Sequence, residues 1–188
     1  MDILFASSNK HKFSELEKMD KNGIFNFKKP ERSLNVEESG ESFQENAFLK
    51  AQEYYKSFKS PSMADDSGLI VEGLPGELGV HSARFGGDGL TDRQRCELLL
   101  DKLKNKDSSD RKSYFVCILC FYFNEAEYYF FEGRLNGSIG AGIEGEKGFG
   151  YDPVFIPEKT PGNETLAMIP GWKELNSHRY QAFESAVS

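Results

Sequence analysis

Apolar residues come in short clusters, and polar turn residues separate them. Ile3, Leu4, Phe5 and Ala6 form a first apolar run that stops at Ser7, Ser8 and Asn9, residues that favour turns and helix N-caps. Phe13, Leu16 and Met19 then recur at helical spacing, so the segment predicts strand, polar turn, helix. A short second strand is expected within residues 21–30. Ser42 with Glu45 three positions on predicts a capping box, and Ala47, Phe48, Ala51 and Tyr55 continue that helix. Met63 and Ala64 lead into Asp65-Asp66-Ser67-Gly68, which reads as a turn, followed by Leu69-Ile70-Val71. Residues 73–89 hold six glycines and predict a long surface loop. Thr91 with Gln94 predicts a second capping box, and Leu98, Leu99 and Leu103 carry its helix. Two aromatic, β-branched runs, 114–123 and 128–131, flank the polar residues 124–127 and predict an antiparallel hairpin. Residues 137–150 are glycine-rich, Val154-Phe155-Ile156 reads as a strand, and a last helix starts at Ser177.

This order predicts an α/β fold with a mixed, partly antiparallel sheet flanked by helices. Residues 1–188 are expected to form a single domain, with a hairpin lobe around residues 112–136. No run of about 18 apolar residues is present, so no membrane span is expected. The apolar start is short and carries Asp2, unlike a signal peptide, which points to a cytoplasmic protein. The three cysteines, Cys96, Cys117 and Cys120, are too few and too odd in number for a disulfide framework. Cys117 and Cys120 lie inside an apolar strand and are expected in the core. A net charge of −7 argues against a nucleic-acid surface but leaves room for a polyanionic small molecule with a local basic pocket.

Five segments carry candidate chemistry. Ser7, Ser8, Asn9, Lys10, His11 and Lys12 lie between a strand and a helix N-terminus, where backbone N–H groups and the helix dipole favour an anion. Asp65 and Asp66 follow an apolar strand, and an aspartate there can hold Mg²⁺ or deprotonate a water. Glu37, Glu38 and Glu41 precede a helix, and one of them can complete a metal site with Asp66. Phe149 and Tyr151, set among Gly148, Gly150, Asp152 and Pro153, can present a flat face to a base. Ser177, His178 and Arg179 offer donors to a carbonyl oxygen or a phosphate. Taken singly, each also reads as an ordinary cap, turn or helix start. Together they fit a nucleotide with magnesium.

The chain also resembles the inosine triphosphate pyrophosphatases, the non-canonical purine NTP (dITP/XTP) pyrophosphatases. The likeness runs through Ser7-Ser8-Asn9-Lys10-His11-Lys12, Glu45-Asn46-Ala47-Phe48-Leu49-Lys50-Ala51, Ala64-Asp65-Asp66-Ser67-Gly68-Leu69 and Gly79-Val80-His81-Ser82-Ala83-Arg84-Phe85. It continues in Gly148-Phe149-Gly150-Tyr151-Asp152-Pro153-Val154-Phe155 and Ser177-His178-Arg179. The resemblance implies an elongated, two-lobed α/β fold, a homodimer, Mg²⁺, and hydrolysis of ITP, dITP or XTP to a nucleoside monophosphate and pyrophosphate. It implies that Asp66 is the catalytic acid/base and a metal ligand. By the same likeness Glu37 would be the second metal carboxylate, or Glu38 if the register shifts by one. Residues 7–12 and Lys50 would hold phosphates, and Ser67 would flank the metal. Phe149, Gly150, Tyr151 and Asp152, with Lys173, His178 and Arg179, would hold the base. Ser8 stands where the family has a glycine, and residues 166–172, which include Pro170-Gly171, depart from its pattern. Two rivals remain: a pyrophosphatase for modified pyrimidine or canonical nucleotides, and a non-catalytic nucleotide sensor.

Overall fold

The computed structural model describes residues 1–160 and 162–188. Its strands are β1 (Asp2–Phe5), β2 (Asn26–Lys28), β3 (Ser62–Val71), β4 (Lys112–Asn124), β5 (Glu127–Ile139) and β6 (Phe155–Pro157). Its α-helices are α1 (Lys10–Met19), α2 (Phe43–Phe58), α3 (Asp92–Lys102), α4 (Pro170–Asn176) and α5 (His178–Val187). The six-stranded sheet has the order β2-β1-β3-β4-β5-β6. β1 runs parallel to β2 and β3, whereas β5 and β6 are antiparallel. The fold is thus mixed α/β.

Contacts divide the chain into two units. The first comprises Met1–Ser67, Cys117–Gly133 and His178–Ser188, and the second comprises Gly68–Val116 and Arg134–Ser177. β3, β4 and β5 each contribute residues to both, so the hairpin of β4 and β5 is shared between them.

In the first unit, strand alternation builds two cores. Ile3, Phe5, Met63, Cys117, Leu119 and Phe121 pack with Phe13, Leu16 and Met19 of α1 and Ala182 and Phe183 of α5. Leu4, Ala6, Ala64, Ile118, Cys120 and Tyr122 pack with Ala47, Ala51 and Tyr54 of α2. Successive strand residues point to opposite faces, so the two sets interleave in sequence. Cys117 and Cys120, an odd three positions apart, therefore fall into different cores. All three cysteines are free and buried. The second unit has one core, in which Leu69, Val71, Leu74, Phe85, Cys96, Leu99, Leu135, Tyr151 and Phe155 meet.

Local signals place most elements. Asn9 Oδ1 accepts the N–H groups of His11 and Lys12 and caps α1. The capping boxes Ser42/Glu45 and Thr91/Gln94 start α2 and α3. Four expectations differ from the structure. Asp65-Asp66-Ser67-Gly68 is not a turn but the middle of β3. Both aspartates are buried against cations, so tertiary ion pairs override the turn propensity. Residues 73–89 are not merely a surface loop. Leu74, Leu78 and Phe85 are buried, and Gly79–Arg84 winds into a short 3-10 helix. β5 runs on to Ile139, past the glycine-rich start expected at residue 137. α4 is an additional helix, and Pro170 sits at its N-terminus, where a missing N–H costs nothing.

Candidate active site

The first unit holds two charge clusters on opposite faces of β3. Asp65 is fully buried on the α1/α5 side. Its carboxylate accepts from Arg179 Nε at 2.6 Å, from Ser67 Oγ at 3.0 Å and from the Cys117 thiol at 3.2 Å, and it pairs with Lys12 Nζ. Burial alone would raise its pKa, but Arg179 and Lys12 hold it well below the ordinary carboxylate value. Arg179 is itself buried, pairs with Glu15, and donates to Ser67 Oγ at 3.0 Å. One carboxylate thus organises Lys12, Ser67 and Arg179, which the sequence had set down as separate substrate contacts.

Asp66 points to the other side, toward α2. Lys50 Nζ donates to Asp66 Oδ1 at 2.9 Å, to Glu38 Oε1 at 2.9 Å and to the Asp65 carbonyl at 2.8 Å. All three ammonium protons are used. Burial raises the Asp66 pKa and outweighs the opposing pull of Lys50. Burial also works against the charge on Lys50, but Asp66 and Glu38 more than offset it, and its pKa is raised. Of the two expected glutamates, Glu38 reaches this cluster, whereas Glu37 is exposed. The register is fixed by Asn46 on α2, whose Oδ1 accepts the Gly40 N–H at 2.8 Å. A side chain at Gly40 would meet that oxygen at 2.7 Å.

Among the described residues, no three His, Cys, Asp or Glu side chains form a metal-binding group. The structure instead offers two carboxylates already sharing one cation. That donor set fits Mg²⁺, which is held by one or two carboxylates together with waters and substrate phosphates. In the first loop, Ser7 Oγ accepts the Asn9 N–H at 3.1 Å, while Ser8, Lys10 and His11 are exposed.

The second unit contains Phe149, Gly150, Tyr151, Asp152 and Lys173. Buried Asp152 accepts the Phe149 N–H at 2.9 Å and pairs with Lys173 Nζ at 2.6 Å. That ammonium lies 4.5 Å from the centroid of the Phe149 ring. The result is an aromatic face joined to a buried cation. Gly148 has φ +80, and a Cβ there would lie 2.0 Å from Asp152 Oδ2, so the close approach needs glycine. Tyr151 is buried, and its hydroxyl donates to the Ser82 carbonyl at 2.7 Å, so the hydroxyl holds the turn. His178 and Arg179, expected beside Lys173, belong to the first unit, where both are buried at the start of α5.

Glu15, Asn46 and the structural role of Asp65 were not evident from the chain. The arginine that pairs with Glu15 and Asp65 lies far along it, and only the Glu-Asn-Ala start of α2 marks Asn46.

The profile of the Ham1 family matches residues 3–188. The chain belongs to the Ham1 family. A relative from Aquifex aeolicus (strain VF5), named dITP/XTP pyrophosphatase, is 38% identical over 100% of this chain and 95% of its own length. One of the same name from Leptospira interrogans serogroup Icterohaemorrhagiae serovar copenhageni (strain Fiocruz L1-130) is 48% identical, covering 82% of this chain and 78% of its own. The solved structure of a HAM1 protein from Coxiella burnetii superposes with a TM-score of 0.86 at 34% identity, covering 99% of this chain and 96% of that one. The departure at residues 166–172 therefore lies within a Ham1 chain, as α4 and the segment before it.

Proposed function

We propose that this Ham1 protein hydrolyses non-canonical purine nucleoside triphosphates (ITP, dITP and XTP) to the nucleoside monophosphate and pyrophosphate. The observation that carries this reading is the buried cluster in which Lys50 pairs with Asp66 and Glu38, which sets a carboxylate beside a cation and a second carboxylate. The Asp66 carboxylate takes a proton from a water whose oxygen attacks the α-phosphorus. The bond from that phosphorus to the bridging oxygen then breaks, and pyrophosphate leaves. Lys50 supplies positive charge next to Asp66, and at the start of α1 residues 7–12 supply the Ser7 and Ser8 hydroxyls and the exposed Lys10 cation. Asp66 and Glu38 would hold Mg²⁺, which when bound neutralises charge on the phosphates.

A triphosphate brings about four negative charges near neutrality to a protein of net charge −7, so compensation has to be local. Phe149 with Lys173 offers what a purine carrying a 6-oxo group calls for, a stacking face and a donor. Adenine presents an amino group there, and a donor facing a donor discriminates strongly. Ser67 and Arg179 act in this reading through Asp65, and His178 is retained as a base-side donor. A homodimer is part of the same proposal and rests on the family likeness, and a cytoplasmic location rests on the short first apolar run that carries Asp2.

The test is pyrophosphate release from ITP, XTP, GTP and ATP, with Mg²⁺ present and chelated. ITP and XTP are expected to exceed ATP at least about tenfold, and chelation to abolish release. Equal rates on ITP and ATP would overturn the purine-edge reading. Binding of ITP without release would favour a sensor.

A further inference from the structure

The turn that presents Phe149 is held at the next peptide as well. Asp92 Oδ2 accepts the Gly150 N–H at 2.7 Å, and the Cys96 thiol donates to the Gly150 carbonyl at 3.4 Å. Both polar groups of one residue are thus tied to the first turns of α3. Gly150 has φ +62 and open space where a Cβ would sit, so no side chain of its own restrains the peptide. α3 is a firm anchor. Its capping box sets Asp92 as the first helical residue, and Cys96 and Leu99 are fully buried in the core with Tyr151, Val154 and Phe155. Burial, with Asp92 and Asp152 nearby, pushes the Cys96 thiol up to about 12, so it stays protonated and able to donate. A cavity of about 210 Å³ borders the same turn, with Asp92, Cys96, Ile143, Phe149 and Pro153 in its lining. Packing is therefore loose on that side, and the two hydrogen bonds to Gly150 act with Asp152 and Lys173 in holding the turn that carries Phe149.

We propose that Asp92 and Cys96 are positioning residues for purine recognition, clamping the Gly150 peptide so that Phe149 is held ready to stack on the base. This inference rests on the purine triphosphate reading above. Neither residue touches the reacting atoms, so the clamp bears on affinity for the base and leaves the phosphate chemistry alone.

The experiment compares Asp92→Ala, Asp92→Asn and Cys96→Ser with wild type. Steady-state constants are measured for ITP. Dissociation constants for ITP and for base-free tripolyphosphate are measured calorimetrically on an Asp66→Asn background. Asp92→Ala is expected to raise KM and Kd for ITP about tenfold, the scale of one lost charge-assisted hydrogen bond. Turnover and the tripolyphosphate Kd should stay within about twofold. Asp92→Asn and Cys96→Ser keep an acceptor and a donor, and should recover most of the affinity. A charge effect alone would make Asp92→Asn behave like Asp92→Ala, and that result overturns the clamp. An unchanged ITP affinity in Asp92→Ala overturns it too, as does an equal loss for tripolyphosphate. If wild type binds ITP but releases no pyrophosphate, the catalytic reading fails while the Kd comparison still decides the clamp. If wild type does neither, both fall.

Discussion

At Asp65 and Asp66 the chain sets two carboxylates side by side, and the pleat of β3 sends them to different partners. Asp65 balances a buried arginine, whereas Asp66 faces Lys50 and Glu38. Removing one partner of a buried pair leaves the other uncompensated, at a cost of about 3–5 kcal/mol. Asp65→Asn is therefore expected to lose stability on that scale in urea unfolding, because Arg179 and Lys12 both lose the carboxylate that neutralises them. Asp66→Asn removes a carboxylate that burial disfavours, and should stay within about 1 kcal/mol of wild type. It should nonetheless lose about 10²- to 10⁴-fold in pyrophosphate release, the range for a positioned general base. Equal stability losses in the two variants would refute the division of roles. The motif singles out Asp66, but nothing in it marks Asp65 as the counter-ion of Arg179. In a turn the two side chains have no assigned faces, and only the strand gives them opposite ones. Glu37 and Glu38 lie outside any strand, and Glu38 is the one whose side chain reaches Lys50.

Elements whose signals are local were legible. Asn9, Ser42 and Thr91 cap the helices that follow them, through hydrogen bonds spanning no more than three residues. The hairpin was also legible, because two apolar runs flank a short polar turn. The length of β5 was not. Gly133 reads as a strand breaker, yet a Cβ there would sit 1.9 Å from the His178 carbonyl and 2.4 Å from the Ala182 N. The glycine is what lets α5 approach the strand. Gly133→Ala is expected to cost at least the 1–3 kcal/mol typical of overpacking. It should also lower turnover, because α5 carries His178 and Arg179. Gly142→Ala, with nothing within 4 Å of its Cβ, should fall within about 0.5 kcal/mol. Thermal unfolding of the two variants checks the contrast, and equal midpoints would count against the close-approach argument.

For the molecule as a whole, a net charge of −7 makes the placement of a few buried cations decisive. Lys12 and Arg179 neutralise Asp65, and Lys50 spans Asp66 and Glu38. This has a consequence for acid stability. Asp65 has a lower pKa folded than its ordinary 3.8, so the folded state binds that proton less readily than the unfolded state. Its contribution is fully present above the ordinary value and is lost as pH falls through the lower folded one. The gap in unfolding free energy between wild type and Asp65→Asn should hold steady from neutral pH to about pH 5 and shrink below about pH 4. Urea unfolding at stepped pH measures it, and a gap that widened on acidification would contradict the assignment. Asp66, shifted upward, has the opposite sign: its burial costs stability at neutral pH, and acid relieves that cost.

The sequence by itself determined the α/β class, the caps, the hairpin, the core cysteines and the motifs that mark a Ham1 chain. The first four depend on periodicity or on hydrogen bonds within a few residues and the motifs on residue identity at fixed spacing, and such signals are complete within the segment that carries them. Only the tertiary structure decided which glutamate joins Lys50, that Asp65 is a counter-ion, that the Tyr151 hydroxyl serves the fold, and that α3 reaches Gly150. Those outcomes depend on strand faces and on partners such as Arg179, 114 positions from Asp65. Contacts at that distance leave no trace in local pattern. They come into being when burial removes water from a charge and a partner must replace it.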